Sequence, residues 1–304
     1  MGITELQKVY AGHPNLSGLA SLLDNKEIRT IFLDGMHGSC ASLFASAFTR
    51  RNAGVHVFVL DNLEEAGYFY HDIVQVNGEG QTMFFPSSYR RAIKYGQKDA
   101  ANEILRTEVL GAFERNEPVT VVTYPDALAE KVVSQKVLSD KTIALKVGQH
   151  IATGKIMEEL AGHGFEHVDY VYEPGQFALR GSILDVYSFA SEYPYRVDFF
   201  GDEIDSIRTF EVDSQLSKEK KDAVSIVPEL SAASGGEICF LDFIPADAVL
   251  WVKDFVWLKE RIQTVYEEAF SPQALAAYEG EQDGLKELEK QLVDGGEFCV
   301  RALE

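Results

Sequence analysis

Residues 34–42, DGMHGSCAS, lie between an apolar run and a helical pattern, where nucleotide-binding proteins keep a phosphate loop. A Walker loop reads G-x-x-x-x-G-K-[ST]: glycines turn backbone N–H groups toward the phosphates, lysine reaches the β and γ phosphates, and the hydroxyl ligates magnesium. On that template Gly35 takes the first glycine, Cys40 the second, Ala41 the lysine and Ser42 the hydroxyl. Without the lysine the loop lacks the cation that phosphoryl transfer requires, so hydrolysis here is not expected. One matching glycine and one matching serine are weak evidence, and any strand-to-helix turn favours small residues for steric reasons.

Three further constellations carry chemical potential. His163, His167 and Asp169 in HGFEHVD have the i, i+4 spacing of zinc-binding helices, but the glycines at 162 and 164 speak against a regular helix, and no metal site is expected. Arg90, Arg91, Lys94 and Lys98, interleaved with Tyr89 and Tyr95, form a basic cluster that reads as a solvated segment or a nucleic-acid contact. Arg180 and Arg196 stand in strand-like runs beside aromatics, the composition of protein–protein hot spots; the plainer reading pairs them across strands with Asp185 or Asp198. No G-x-S-x-G or H-E-x-x-H occurs, and no Walker-B-like acidic pair closes the strand VTVVTY.

The elements that must position these residues follow from hydrophobic period. RTIFLD at 29–34 reads as a strand, then the loop, then a helix with Leu43, Phe44, Ala47 and Phe48 on one face. VHVFVL at 55–60 is a buried-type strand, followed by a helix capped by Asn62 with Glu65 three residues on. TMFF at 82–85 ends at Pro86; a helix over 99–115 presents Ala101, Ile104, Leu105, Val109, Ala112 and Phe113; VTVVTY at 119–124 is the next strand. Such alternation implies parallel strands with crossover helices.

After Pro125 the pattern changes. A short helix near 154–160 precedes QFALRGSILDVYSF and YRVDFFGDEIDSIRTF, which alternate polar and apolar and place Gly201 and Asp202 at a hairpin turn. Polar SKEKKD follows, then strand-like EICFLDF and AVLWVKDF, and helical VWLKERIQTVYEEAF and GLKELEKQL.

Over 304 residues this suggests two or three domains, divided at 1–127, 128–213 and 214–304. With 48 acidic against 28 basic side chains the formal charge is −20, which disfavours autonomous tight binding to nucleic acid. Three separated cysteines give neither a disulfide framework nor a zinc site, and no apolar run is long enough for a membrane helix. A cytoplasmic location without a membrane partner is expected.

Two stretches carry a resemblance. YEPGQFALRGSILDVYSF and SEYPYRVDFFGDEIDSIRTFEVDSQLS resemble a segment of bacterial transcription-repair coupling factors, the Mfd family. Its pattern P-G-[EQ]-[FY]-A-x-R-G-[GS]-I-[LV]-D, then R-[VIL]-[DE]-F-F-x-D-E-I-[DE]-S-[IL]-R-x-F, is met by Pro174, Gly175, Phe177, Arg180, Gly181, Asp185, Arg196, Phe199, Phe200, Asp202, Glu203, Ile204, Ser206, Arg208 and Phe210. VVTYPDAL at 121–128, KVGQ at 146–149 and FLDFIPADAVL at 240–250 agree, and the excision-repair helicase UvrB is similar more faintly.

The resemblance implies an α/β fold: a degenerate helicase-like, P-loop-NTPase-like parallel-sheet domain, an inserted α+β UvrA-binding domain, and a third mixed domain. It implies a non-catalytic N-terminal fragment recruiting UvrA to stalled RNA polymerase, with Arg180, Tyr187, Phe177 and Arg196 on the UvrA surface. No cofactor is expected in this chain. ATP and magnesium belong to a downstream motor, and RNA polymerase and double-stranded DNA to further domains, one of which could contact this module intramolecularly. Glu166, where some members carry arginine, reverses a charge on that surface. The rival functions are an ATP-dependent, UvrB-type damage-binding helicase and an autoinhibitory scaffold.

Overall fold

The structure, a computed structural model, describes residues 3–78, 80–89, 99–230, 237–272, 275 and 289–298. In chain order the first elements are α1 (Ile3–Ala11), α2 (Pro14–Leu23), α3 (Cys40–Arg51), β1 (Val55–Val59), α4 (Leu63–Asn77), β2 (Thr82–Phe84), α5 (Ala100–Glu114) and β3 (Val119–Thr123). Next come α6 (Pro125–Leu128), β4 (Val132–Val133), α7 (Gln135–Lys141), β5 (Ile143–Lys146), α8 (Thr153–Gly162), β6 (Glu166–His167), β7 (Gln176–Arg180) and β8 (Ile183–Val186). The last are β9 (Tyr195–Phe200), β10 (Glu203–Phe210), β11 (Ser217–Lys221), β12 (Ala223–Ile226), β13 (Glu237–Ile238), α9 (Phe240–Phe243), β14 (Val249–Val252) and α10 (Phe255–Ala269).

These elements form two compact units, one of residues 1–87, 115–130 and 239–304, the other of 88–114 and 131–238. The first is built on a parallel sheet in the order β14-β1-β3-β2. Every residue of β1 and β3 is buried, and runs rich in β-branched residues, VHVFV and VTVVT, suit a parallel strand covered on both faces. The expected crossover α4 starts where the Asn62 side chain accepts the Glu65 N–H at 3.0 Å. Glu65 does not return the bond in capping-box fashion; its carboxylate lies 2.9 Å from Lys253 Nζ, at the end of β14.

The 29–34 run is not a strand. Ile31 packs onto the cluster of Leu16, Leu19, Ala47 and Phe48, while Phe32 is 93% exposed. Both edges of β1 are already taken, by β14 and β3, and an apolar run alone does not specify a sheet partner. The helix over 99–115 forms, but Ala101 and Leu105 face solvent, and the buried stripe runs through Arg106, Thr107, Val109, Leu110, Ala112 and Phe113. EICFLDF divides into β13 and the helical turn α9, because Phe240 and Phe243 are both fully buried at a spacing of three. Helices α1 and α2 lie outside the elements read from the sequence, and most of GLKELEKQL lies outside the described residues.

The second unit holds a six-stranded sheet ordered β11-β10-β9-β8-β7-β6, antiparallel except for β6 beside β7. Two tight turns join its central strands, with Gly181 at φ 64° and Gly201 at φ 63° supplying the left-handed backbone. Alternation, with a register shift between Ile204 and Ser206 that brings Ile204 and Ile207 to the same side, sends Phe177, Leu184, Val186, Val197, Phe199, Ile204 and Ile207 into one core with Ile156 and Leu160 of α8 and Ile143 and Leu145 of β5. The polar SKEKK segment is the exposed edge strand β11, whose lysines guard an open ladder. Strand β12 pairs with β5, and β4 pairs with β13, so the first and last strands of the 131–238 stretch meet.

His56 of β1 is 4% exposed. Its Nε2 lies 3.0 Å from the Asn52 carbonyl, and its Nδ1 receives the Trp251 indole N–H at 3.3 Å. These partners define a neutral ring protonated on Nε2. Burial pushes its pKa below the ordinary histidine value, against the Asn52 carbonyl, which favours the charged form. A depressed histidine pKa means that the unfolded chain binds the proton first. The His56 contribution is therefore complete at neutral pH and falls away below about pH 6.5. We expect the denaturation midpoint to drop as pH falls from 7.5 to 5.5, and His56→Gln, which keeps a donor and an acceptor, to flatten that dependence; an unchanged pH profile in the variant would remove His56 as its source.

Candidate functional site

The apolar face of the six-stranded sheet fixes what its other face presents, since a strand's side chains alternate. Register sets Ala178, Asp185, Arg196, Arg208 and Lys220 in one row across β7 to β11, and Arg180, Ile183, Asp198 and Ser206 in the neighbouring row. Arg196 and Arg208 stand directly opposite each other, a destabilising pair unless each charge is answered. Asp198 answers Arg208 and also takes the Ser206 hydroxyl at 3.0 Å. Asp185, with no exposed side-chain surface, answers Arg196 through Nε–Oδ1 at 2.7 Å and Nη2–Oδ2 at 2.9 Å.

Asp185 also holds Arg180, whose Nη2 donates to the same Oδ2. One buried carboxylate thus joins two guanidiniums, a geometry in which removing the anion strands two cations and costs about 3–5 kcal/mol. Arg196 is enclosed further: its guanidinium lies 4.3 Å from the Phe210 ring centroid, and Nη1 donates to the Gln215 carbonyl at 3.1 Å. Its hydrogen bond to Asp185 raises its pKa above the ordinary arginine value, with burial opposing. Arg180, with 34% of its side chain exposed, donates Nη1 to the Asp169 carbonyl at 3.0 Å and stacks 4.7 Å from the Tyr170 ring centroid.

The expected site residues therefore separate. Arg180 and Arg196 share Asp185, not Asp198. Tyr187 is half-buried on the same face, its hydroxyl donating to the Glu192 carbonyl at 2.7 Å, and burial first, then Glu192 and Glu108, raises its pKa. Phe177 belongs to the opposite face: it is 2% exposed in the apolar core, its ring 5.0 Å from that of His167, so it cannot touch a partner and acts by shaping the sheet. Glu166 is exposed on β6. Sequence reasoning missed Tyr170, Tyr172 and the Asp169 carbonyl, which no period marks. It also missed that Asp185 is shared; an acid between Leu184 and Val186 in a half-buried strand is a signal that such a residue has a partner.

At the 34–42 loop, Gly35 and Gly38 have φ of 81° and 55°, and α3 begins at Cys40. Asp34 Oδ1 accepts the Gly35 N–H at 2.7 Å. The buried Ser42 hydroxyl lies 2.6 Å from Asp72 Oδ2 on α4, so it ties two helices together. Ala41 follows Cys40 in the first turn of α3 and brings no charge. Two carboxylates, Asp34 and Asp72, thus bond to residues of the 34–42 segment, which contains no lysine. His163 caps the end of α8 while His167 sits on β6, so the i, i+4 pair shares no helix; among the described residues no group of three or more His, Cys, Asp or Glu is placed to hold a metal ion. The basic cluster beyond Tyr89 lies outside the described residues.

Residues 143–231, from β5 to just beyond β12, match the UvrB interaction domain family. Across a longer span the chain is similar to transcription-repair-coupling factors: 30% identical over 62% of this chain to that of Escherichia coli K12, and 27% over 64% to that of Bacillus subtilis 168. It spans 16% and 17% of the lengths of those two proteins. It is also 26% identical, over 69% of its length and 32% of the relative's, to UvrABC system protein B of Lactococcus lactis. These similarities bear out the resemblance to the N-terminal UvrB-homology module of transcription-repair coupling factors.

Two substitutions test the assignments of side chains to core and loop. Phe177→Ala should cost about 3–5 kcal/mol in urea unfolding, as a buried aromatic does, and a loss under 1 kcal/mol would place the ring outside the core. Ser42→Ala should cost about 1 kcal/mol or more by leaving Asp72 without its donor, whether or not ATP and magnesium are present.

Proposed function

We propose that this chain is the non-catalytic recruitment module of a transcription-repair coupling factor, and that the outer face of its six-stranded sheet docks UvrA. The observation that carries this reading is the match to the UvrB interaction domain over the very strands that display Arg180, stacked on the exposed Tyr170. An arginine stacked on a tyrosine, held by a buried acid and open to solvent, is the composition of an interface hot spot. UvrA would thereby be brought to a stalled RNA polymerase. RNA polymerase and double-stranded DNA are contacted by other parts of the full-length protein, whose ATP-dependent translocase uses ATP and magnesium.

On this reading the parallel sheet descends from a helicase-like domain whose nucleotide site has lapsed, and the UvrA-binding domain is an insertion in it. The engagement of Ser42 with Asp72, the Asp34 carboxylate on Gly35 and the missing lysine all oppose a bound triphosphate. A damage-binding helicase of UvrB type would need that site to work. The reaction compartment is the cytoplasm, where excision repair meets transcription; among the described residues no helix is long and apolar enough to cross a membrane.

Titration of the chain with purified UvrA tests the reading. We expect saturable binding that weakens with added salt, and a loss of about 2 kcal/mol or more on Arg180→Ala. Equal binding by the variant removes Arg180 from the interface, and micromolar binding of a fluorescent ATP analogue to the chain alone overturns the lapsed-site reading.

A further inference from the structure

The two arginines of the outer face are used in opposite ways. Arg196 spends four of its five N–H groups inside the unit: Nε and Nη2 on Asp185, Nη2 also on Gln215 Oε1 at 3.3 Å, and Nη1 on the Gln215 carbonyl. Its side chain is 14% exposed, and the Phe210 ring backs its plane. Arg180 engages one hydrogen on Asp169 and one on Asp185, which leaves Nε and the outer hydrogens of both terminal nitrogens without a bond to the described residues. Ala178 faces Asp185 in register, and its small side chain leaves open the diagonal along which Arg180, two residues on, reaches the carboxylate.

We propose that Asp185 and Arg196 are a positioning pair for the partner-binding face: clamped between β8 and β9, Asp185 fixes the Arg180 guanidinium over Tyr170 so that its free donors meet a carboxylate of UvrA. The inference rests on the reading of this face as the UvrA-docking surface. Neither Asp185 nor Arg196 contacts the partner. Asp185 has no exposed surface, and Arg196 has too few donors left to form a bidentate pair. What they supply is rigidity: a free arginine carries several rotatable bonds, and binding through it is weakened by the ordering it must undergo.

The experiment combines arginine 15N spectra with UvrA titrations of the whole chain, for the wild type, Asp185→Asn, Arg196→Lys, Arg180→Ala and the Asp185→Asn/Arg180→Ala double variant. In the wild type, Arg180 and Arg196 should give resolved, slowly exchanging Nη signals, and Asp185→Asn should remove those of Arg180. Asp185→Asn should weaken UvrA binding about tenfold, within the range for coupled neighbours, and have no further effect in the Arg180→Ala background. Additive losses, or wild-type affinity in Asp185→Asn, overturn the proposal. Should Asp185→Asn fail to fold, Arg196→Lys decides: it keeps the charge but not the two-pronged clamp, and unaltered Arg180 signals together with unaltered affinity overturn the proposal. A wild-type chain that does not bind UvrA removes the functional reading itself, and the Nη signals then report independently whether Asp185 orders Arg180.

Discussion

Strand β14 pairs in parallel with β1 although nearly two hundred residues separate them, with Trp251 beside Phe58 in register. The first unit depends on that pairing. Without it β1 would be an edge strand with every residue apolar or buried, and the slot that Trp251 fills against Phe48 and His56 would be open. The same constraint means that everything between Lys131 and Ile238 must leave the first unit's sheet and return to it. Pairing of β4 with β13 satisfies this locally, since it joins the two ends of the excursion within the second unit. Loop closure over so long a stretch is costly mainly once, and a second unit with its own core is the economical way to fill it.

Inside that second unit the division of labour between faces is physical. Apolar side chains on one side of β7 to β10 make the core, so the charged residues required by the alternation must all appear on the other. A face holding Arg180, Arg196 and Arg208 would repel itself. Two carboxylates, Asp185 and Asp198, neutralise part of it and leave Arg180 with more of its side chain exposed than Arg196. These cations stand on a chain of net charge −20, so they are the part of its surface that favours contact with an acidic patch.

Much of this was legible in the residues. β1, β3, α3, α4 and the β7–β10 meander follow from period and turn chemistry, and the cap at Asn62 from its side-chain type. The misread segments fail for identifiable reasons. RTIFLD has the composition of a strand but no free partner edge. EICFLDF is strand-like in composition, but its two buried phenylalanines stand three apart on a helical turn. SKEKK has no apolar residue at all and becomes a strand only because β10 offers it a ladder. Phe177 shares a motif with Arg180, yet three residues along a strand is an odd step and sends the two side chains to opposite faces.

By itself, then, the order of residues determined the types of β1, β3, α3, α4 and the β7–β10 strands, the absence of a lysine in the 34–42 loop and the family motif around Arg180, because propensity, turn chemistry and side-chain identity are local properties. Only the tertiary structure decided which aspartate the arginines share, that Ser42 is bound to Asp72, and that Tyr170 lies beneath Arg180. Those contacts join residues brought together by strand register and helix packing. Register is set by the whole buried face rather than by any one residue, so no short window of sequence contains it.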